Sequence, residues 1–189
     1  MSSYEDGTSS TTLKRYEQLL NSSNKNDLEA ISHSDGYLRI DNLPSTVDEI
    51  FKNTASVFIF IPNPIDPEGM GHWCLFTRVD ENHFEYFDPQ RYWFTKGTAA
   101  DDTPEEIERV IDNTFKSGGY KIEHVPLQAP IQAKDSTTCG LWCILRQTML
   151  HLDILSWFLF ITETCSKADY PPDYFVRMLV CPVIDEKEE

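Results

Sequence analysis

Three apolar runs between residues 56 and 89 constrain the fold more than any other feature of the chain. The segment SVFIFIP at 56–62 is a continuous apolar run ended by a proline, which is typical of a buried strand. Two further runs, HWCLFTRV at 72–79 and HFEYFDP at 83–89, are separated only by DEN, and this arrangement predicts a β-hairpin. These runs therefore predict neighbouring strands of a sheet.

Helical patterns surround the predicted strands. The segment at 103–119 has Thr103 as an N-cap, Pro104 in the first turn, Glu106 to complete a capping box, and Gly118 to end the helix. Further elements are predicted elsewhere: short helices near 13–20 and 45–53, a strand at 120–127, a helix starting at Cys139, and a C-terminal helix near 171–180. The pattern indicates an α+β domain with at least four strands.

Composition limits the class of protein. The chain has 16 Lys and Arg against 31 Asp and Glu, and the resulting charge of −15 disfavours nucleic acid as a main partner. No apolar run reaches the length of a membrane span, no secretion signal is visible, and five cysteines without tight spacing favour free thiols. We expect a soluble intracellular protein with a flexible segment at 1–12, one domain at 13–184 and an acidic tail at 185–189.

The segment DSTTCGLWC at 135–143 offers three interpretations of Cys139. Ser136, Thr137 or Thr138 can cap a helix that places Cys139 in its first turn, where free N–H groups and the helix dipole stabilise a thiolate. Alternatively, Cys139 is a packing residue, as free cysteines often are. A metal site shared with Cys143 would need two further ligands, and the sequence shows no second paired motif.

The predicted hairpin supplies a base for such a thiolate. If its turn is centred on Asp80, antiparallel pairing sets His72 directly opposite Asp88. Opposed side chains lie about 5 Å apart at Cβ, so the carboxylate could orient the imidazole. A surface ion pair is the alternative, but together with Cys139 the pair indicates the nucleophile, base and orienting acid of a cysteine hydrolase.

Four short motifs resemble one family. GHW at 71–73, FDP at 87–89, and Gln132 seven residues before the CG at 139–140 are similar to the His, acid, Gln, Cys series of the adenovirus protease adenain and the Ulp1-type proteases of ubiquitin-like proteins. The resemblance covers roughly residues 55–150. It implies a mixed, largely antiparallel central sheet flanked by helices, as in the Ulp1/adenain-like cysteine protease fold.

The resemblance also implies roles for five residues. Cys139 would be the nucleophile, His72 the base and Asp88 the residue that orients His72. Gln132 would donate its amide to the oxyanion hole with the Cys139 N–H, and Trp73 would wall the substrate cleft, unless it is simply a core aromatic. No cofactor and no metal are expected.

Two details place the chain between the branches of this family. The seven-residue step from Gln132 to Cys139 resembles the adenovirus type, whereas an aspartate as the acid resembles the Ulp1 type. Adenain uses DNA and a disulfide-linked peptide as activators; here the charge of −15, and the lack of cysteine between Cys74 and Cys139, predict activity without either.

The compact chain resembles the maturation proteases of adenoviruses and virophages. That likeness implies a monomeric enzyme that cleaves a capsid precursor or other virion protein at Gly-Gly or Gly-X sites, without contacting a membrane. It would act in the host cytoplasm or viral factory and be packaged in the virion. The alternatives are a Ulp1-like deubiquitinase or deSUMOylase, an acyltransferase with the same catalytic order, and a catalytically silent peptide-binding module.

Overall fold

A five-stranded mixed sheet forms the centre of the protein. The computed structural model describes residues 37–52, 54–63, 66–90, 109–124, 131–133 and 136–185. The strands are β1 (Tyr37–Arg39), β2 (Ser56–Asn63), β3 (Asp66–Arg78), β4 (His83–Phe87) and β5 (Lys121–His124). The helices are α1 (Val47–Phe51), α2 (Cys139–Thr148), α3 (Ile154–Ala168) and α4 (Pro172–Asp185), with a 3-10 turn at Ile40–Asn42 and a π-helix at Ile111–Lys116.

The strands follow chain order across the sheet, from β1 to β5. The three central strands are antiparallel, while β1 pairs parallel to β2 and β5 pairs parallel to β4. The predicted α+β class, with a mixed and largely antiparallel sheet flanked by helices, is confirmed. The predicted strands at 56–62 and in the hairpin are present, and the strand predicted at 120–127 is present over Lys121–His124, with residues 125–127 outside the described part of the chain.

Both faces of the sheet are buried, which explains why β2 and β3 are continuous apolar runs. Alternation along each strand sends successive side chains to opposite faces. One face packs on α2, α3 and α4 through Phe58, Phe60, Trp73, Leu75, Phe87, Trp142 and Trp157. The other face packs on α1 and the π-helix through Val57, Ile59, Cys74, Phe76, Phe84, Tyr86 and Phe115.

One buried ion pair joins α2 to the hairpin. Arg146 donates from Nε to Glu85 Oε1 at 3.0 Å and from Nη2 to Glu85 Oε2 at 3.1 Å, and both side chains are buried. Nη1 of Arg146 also donates to the carbonyl oxygens of Met149 and Leu152 just beyond the helix. The pair thus fixes where α2 sits along β4.

The predicted helices have different outcomes. α1 is confirmed, and Thr46 caps it: its hydroxyl accepts from the Glu49 N–H and donates to the Glu49 carboxylate. The prediction at 13–20 and the cap at Thr103 lie outside the described residues. The helix predicted over 103–119 was expected to end at Gly118. The residue with a left-handed backbone there is Gly119, with φ of 80°.

The longest helix, α3, is absent from the sequence-based predictions. Its first eight residues, ILSWFLFI, have no polar residue except one serine, so they show no helical alternation of apolar and polar side chains. Asp153 caps it by accepting from the Ser156 N–H at 3.0 Å. Within the described part of the chain, neither α3 nor another helix is long and apolar enough to cross a bilayer.

The predicted domain limits stay predictions. Residues 1–12 lie outside the described part of the chain, and α4 extends to Asp185, one residue into the predicted acidic tail.

The buried pair yields a stability prediction. Replacing Glu85 with alanine leaves the Arg146 guanidinium buried without its carboxylate, so we expect the free energy of unfolding to fall by about 3–5 kcal/mol. Urea denaturation measures this change. The matched control is Glu163→Ala, which removes an exposed ion pair with Lys167 on α3 and should leave stability nearly unchanged. Equal effects of the two substitutions would contradict the role of the pair.

Candidate active site

His72, in the middle of β3, meets Asp88 just beyond the end of β4. His72 Nε2 donates to Asp88 Oδ1 at 2.8 Å, and both side chains are more than nine-tenths buried. Asp88 directly follows β4. The backbone N–H of Gln90 also donates to Asp88 Oδ1, at 2.9 Å, so the carboxylate is held from two sides.

The predicted direct opposition of His72 and Asp88 is wrong by two residues along β3. Leu75 pairs with Phe87, and continuing this register places Cys74 opposite Asp88. The turn is centred one residue later than Asp80, because the Asp80 carboxylate accepts the Asn82 N–H at 2.9 Å and lengthens the loop. The contact survives because His72 is the diagonal neighbour of Asp88, within reach of a long side chain.

Two further polar groups complete this cluster. His72 and Cys74 are two residues apart on β3, so alternation places them on one face of the strand. The Tyr86 hydroxyl lies 3.1 Å from Cys74 Sγ and donates to Asp88 Oδ2 at 3.4 Å. Cys74 is not among the site residues predicted from the sequence.

The charges around His72 favour its protonated form. Burial alone lowers the pKa of His72, but the neighbouring Cys74 and Asp88, the Asp88 hydrogen bond and a hydrogen bond with Cys139 raise it well above its usual range. Burial raises the pKa of Cys74 to about 11, so that thiol is neutral near pH 7. Asp88 is therefore the main source of the shift at neutral pH.

Burial also raises the pKa of the Tyr86 phenol well above its usual range. Tyr86 consequently stays neutral and keeps the proton that it donates to Asp88. Neither Cys74 nor Tyr86 is suited to proton transfer at neutral pH; the Tyr86 hydroxyl holds Asp88, and Cys74 lies against that hydroxyl.

Cys139 is the first residue of α2 and hydrogen-bonds His72. Asp88 accepts from Nε2 of the same ring. The predicted side-chain cap is wrong: Thr138 occupies the N-cap position, but its hydroxyl donates to Asp173 instead of accepting from the helix. The first N–H groups of α2 keep no intrahelical partner and face the start of the helix.

Gln132 lies in the segment that leads to Cys139 and is 1% exposed. Its backbone N–H donates to the Pro89 carbonyl at 3.1 Å, which ties this segment to the residue after Asp88. One hydrogen of its side-chain amide goes to the Ser136 carbonyl, and Oε1 has no partner. The second amide hydrogen can therefore serve a developing oxyanion.

Trp73 lies in the core rather than on an open cleft. It is 2% exposed and packs against Phe60 and Tyr37, with ring centroids 4.7 and 5.1 Å away. Gly71, the residue before His72, lies against the Phe60 ring. A Cβ at this position would fall 2.3 Å from Phe60 Cζ and 2.5 Å from the Ile61 carbonyl oxygen. A substrate contact through Trp73 stays a prediction.

The cysteines have distinct surroundings. Cys74, Cys139, Cys143 and Cys165 are free and buried. Cys143 donates to the Trp73 carbonyl at 3.5 Å, and burial raises its pKa well above the usual range, so it is a packing residue. His72, Cys74 and Asp88 could hold a divalent metal, since their ligand atoms lie within 4.8 Å of one another, but a metal there would compete with the His72–Asp88 hydrogen bond.

Comparison with known proteins finds limited similarity. No protein-family model matches the chain. An uncharacterised protein, V9 of Sputnik virophage, is 28% identical over 120 residues, which cover 58% of this chain and 65% of V9. The chain thus spans somewhat less than two thirds of that relative.

Two solved structures from Chlamydia trachomatis are also similar. The effector protein Cdu1, in a structure bound to ubiquitin, is 14% identical with a TM-score of 0.39, over 94% of this chain and 80% of that one. ChlaDub1 is 14% identical with a TM-score of 0.38, over 95% of this chain and 79% of that one.

The site predicts different behaviour for two cysteines one helical turn apart. Cys139→Ala should abolish rapid iodoacetamide labelling at neutral pH and all peptide cleavage, because this thiol combines a hydrogen bond with His72 and a position at the start of α2. Cys143→Ala should retain most of both, since its thiol is neutral and points to a backbone carbonyl. Intact mass and turnover measure the outcome, and equal losses would indicate a paired-cysteine site.

Asp88 should control the titration of His72. Its negative charge raises the pKa of His72, so the imidazolium is present below that pKa and is lost as pH rises through it. Asp88→Asn removes the charge, and the titration should therefore move to lower pH. An NMR titration of the His72 ring, assigned with His72→Gln, measures this shift.

Asp80→Asn is the control for this titration, because it removes an exposed carboxylate in the turn of the same hairpin. The titration of His72 should be unchanged in that variant. An identical titration in wild type and Asp88→Asn would show that another group sets the charge state of His72.

Proposed function

We propose that the protein is a cysteine endopeptidase whose nucleophile is Cys139. The observation that carries this proposal is one imidazole, His72, hydrogen-bonded both to a buried carboxylate and to a thiol at the start of a helix. A nucleophile, a base and an orienting acid in this arrangement support acyl transfer. The oxyanion donors are Gln132 and the Cys139 N–H.

The proposed reaction has two steps. His72 Nδ1 takes the thiol proton, Cys139 Sγ bonds to the scissile carbonyl carbon, and the carbonyl oxygen becomes an oxyanion that the two donors stabilise. The C–N bond then breaks as the imidazolium gives its proton to the leaving amine, which leaves a thioester. A water molecule next loses a proton to His72 and attacks the thioester, and the thiol leaves with that proton.

Asp88 keeps this cycle efficient without accepting the proton. Its hydrogen bond holds the ring with Nδ1 towards Cys139, and its charge stabilises the imidazolium that forms. Tyr86 and the Gln90 N–H hold the carboxylate in turn.

The substrate that we propose has a small residue at the scissile bond. Cys139 and His72 are only 6% and 7% exposed, so a bulky side chain beside that bond would prevent the carbonyl from reaching the sulfur. Glycine allows the closest approach of a backbone, which favours Gly-Gly or Gly-X sites. Contacts farther along the substrate would then supply the binding energy that positions the bond.

We further propose that the substrate is a virion precursor, such as a capsid protein. The similarity to a virophage protein supports a viral setting. In this proposal the enzyme is a monomer that acts in the host cytoplasm or viral factory and is packaged in the virion. Its charge of −15 disfavours binding to the viral genome, so in this proposal the enzyme enters the virion by binding to precursor proteins.

The same site could instead hydrolyse ubiquitin-like conjugates, which also end in Gly-Gly. The catalytic groups do not distinguish these substrates, since both reactions break an acyl bond after glycine. The two functions differ in whether a folded ubiquitin-like protein or an extended precursor segment binds next to the site.

Co-expression with the capsid protein of the same virus tests the proposal. Wild type should produce a new terminus after a small residue, Cys139→Ala should produce none, and purified wild type should cleave without added DNA. Mass spectrometry identifies the terminus. Cleavage after a large or charged residue, or equal cleavage by Cys139→Ala, would refute the proposal, and labelling by a ubiquitin-like vinyl sulfone without capsid cleavage would support the deubiquitinase alternative.

A further inference from the structure

Asp173, in the first turn of α4, contacts the segment that carries Gln132 and Cys139. Its Oδ2 accepts the Ala133 N–H at 2.9 Å. Its Oδ1 accepts from the Thr138 hydroxyl and from Trp142 Nε1–H at 3.1 Å. One carboxylate therefore joins three points that are close along the chain to the proposed catalytic groups.

The positions of the three donors connect Asp173 to both oxyanion donors. Ala133 follows Gln132, Thr138 precedes Cys139, and Trp142 lies one helical turn beyond that cysteine. Thr138 and Trp142 are completely buried, so water does not replace the carboxylate at these two contacts.

The network reaches the Gln132 side chain as well. The Ser136 hydroxyl lies 2.9 Å from the Thr138 hydroxyl, and the Ser136 carbonyl accepts from the Gln132 amide. The orientation of that amide thus depends on Ser136. The Ser136 hydroxyl in turn contacts Thr138, which donates to Asp173.

We propose that Asp173 is a positioning residue that sets the distance between the two oxyanion donors, the Gln132 amide and the Cys139 N–H. This inference rests on the proposed function for its catalytic meaning. Asp173 does not act by electrostatic stabilisation of the thiolate, because a carboxylate near the start of α2 disfavours a negative charge there. The benefit is therefore geometric: Asp173 holds the segment before the nucleophile in one conformation.

An asparagine at this position can satisfy only part of the network. A carboxylate offers two acceptor oxygens, whereas an amide offers one oxygen and one nitrogen that only donates. In Asp173→Asn, either the Ala133 N–H or the Trp142 indole loses its acceptor, while the size and shape of the side chain stay the same.

Kinetics of Asp173→Asn with a peptide substrate test the catalytic role. We expect kcat to fall by about 10- to 100-fold, with KM and the rate of Cys139 labelling by iodoacetamide each changed by less than about threefold. Unchanged kcat would overturn the proposal. An equal fall in kcat and in the labelling rate would also overturn it, since the nucleophile itself would then be impaired.

A double substitution separates positioning from a general loss of stability. In a Gln132→Ala background one oxyanion donor is already absent, so Asp173→Asn should cost much less than it does in wild type. The same loss in both backgrounds would assign Asp173 a purely structural role. The control is Asp153→Ala, which removes the cap of α3 away from the site and should leave kcat unchanged.

Amide hydrogen exchange gives an outcome that does not depend on activity. Exchange at residues 131–133 and 136–139 should be about tenfold faster or more in Asp173→Asn than in wild type, with β2 and β3 unchanged. Unchanged exchange in this segment overturns the positioning role even if no substrate is cleaved. Absence of Cys139-dependent cleavage in wild type, with faster exchange in the variant, would refute only the proposed function.

Discussion

The buried pair between Arg146 and Glu85 determines how α2 meets the sheet. Glu85 lies three residues before Asp88 along β4, which is about 10 Å of strand. Arg146 lies seven residues after Cys139 along α2, which is also about 10 Å of helix. The ion pair joins α2 to β4 at one point, and the distance from that point to Cys139 equals the distance to Asp88. The first residue of α2 therefore lies beside the end of β4. The contact of Cys139 with His72 depends on this agreement.

The polar cluster at the end of the hairpin shows why its groups are not interchangeable. His72, Cys74, Asp88 and Tyr86 are all buried, so each charge there needs a partner. Cys74 and Tyr86 stay neutral, Asp88 carries the charge, and His72 responds by favouring its protonated form. Burial keeps the Cys74 thiol neutral and therefore unreactive. Cys139, by contrast, lies at the start of a helix. Burial and position, rather than residue type, separate a structural cysteine from the proposed nucleophile.

Local patterns in the sequence predicted much of this arrangement and missed some of it for identifiable reasons. Alternation and apolar runs predicted the central strands, and a short helix was predicted where α1 lies. The pairing of the hairpin was missed by two residues because the turn is centred one residue later than Asp80, whose carboxylate accepts the Asn82 N–H. α3 was missed because its first turns are apolar on all sides, and Asp173 was missed because nothing local links it to Gln132, forty-one residues earlier.

The sequence by itself determined the α+β class, the central strands and the residue types from which the candidate site is built, because these follow from periodicity and from short motifs. The tertiary structure alone decided which side chains meet. It made His72 a diagonal rather than an opposed neighbour of Asp88, and it placed Trp73 in the core. It also brought Asp173 from the last helix to the segment before Cys139. Contacts between distant segments depend on packing and on buried hydrogen bonds, and their energies are not encoded in any local stretch of the chain.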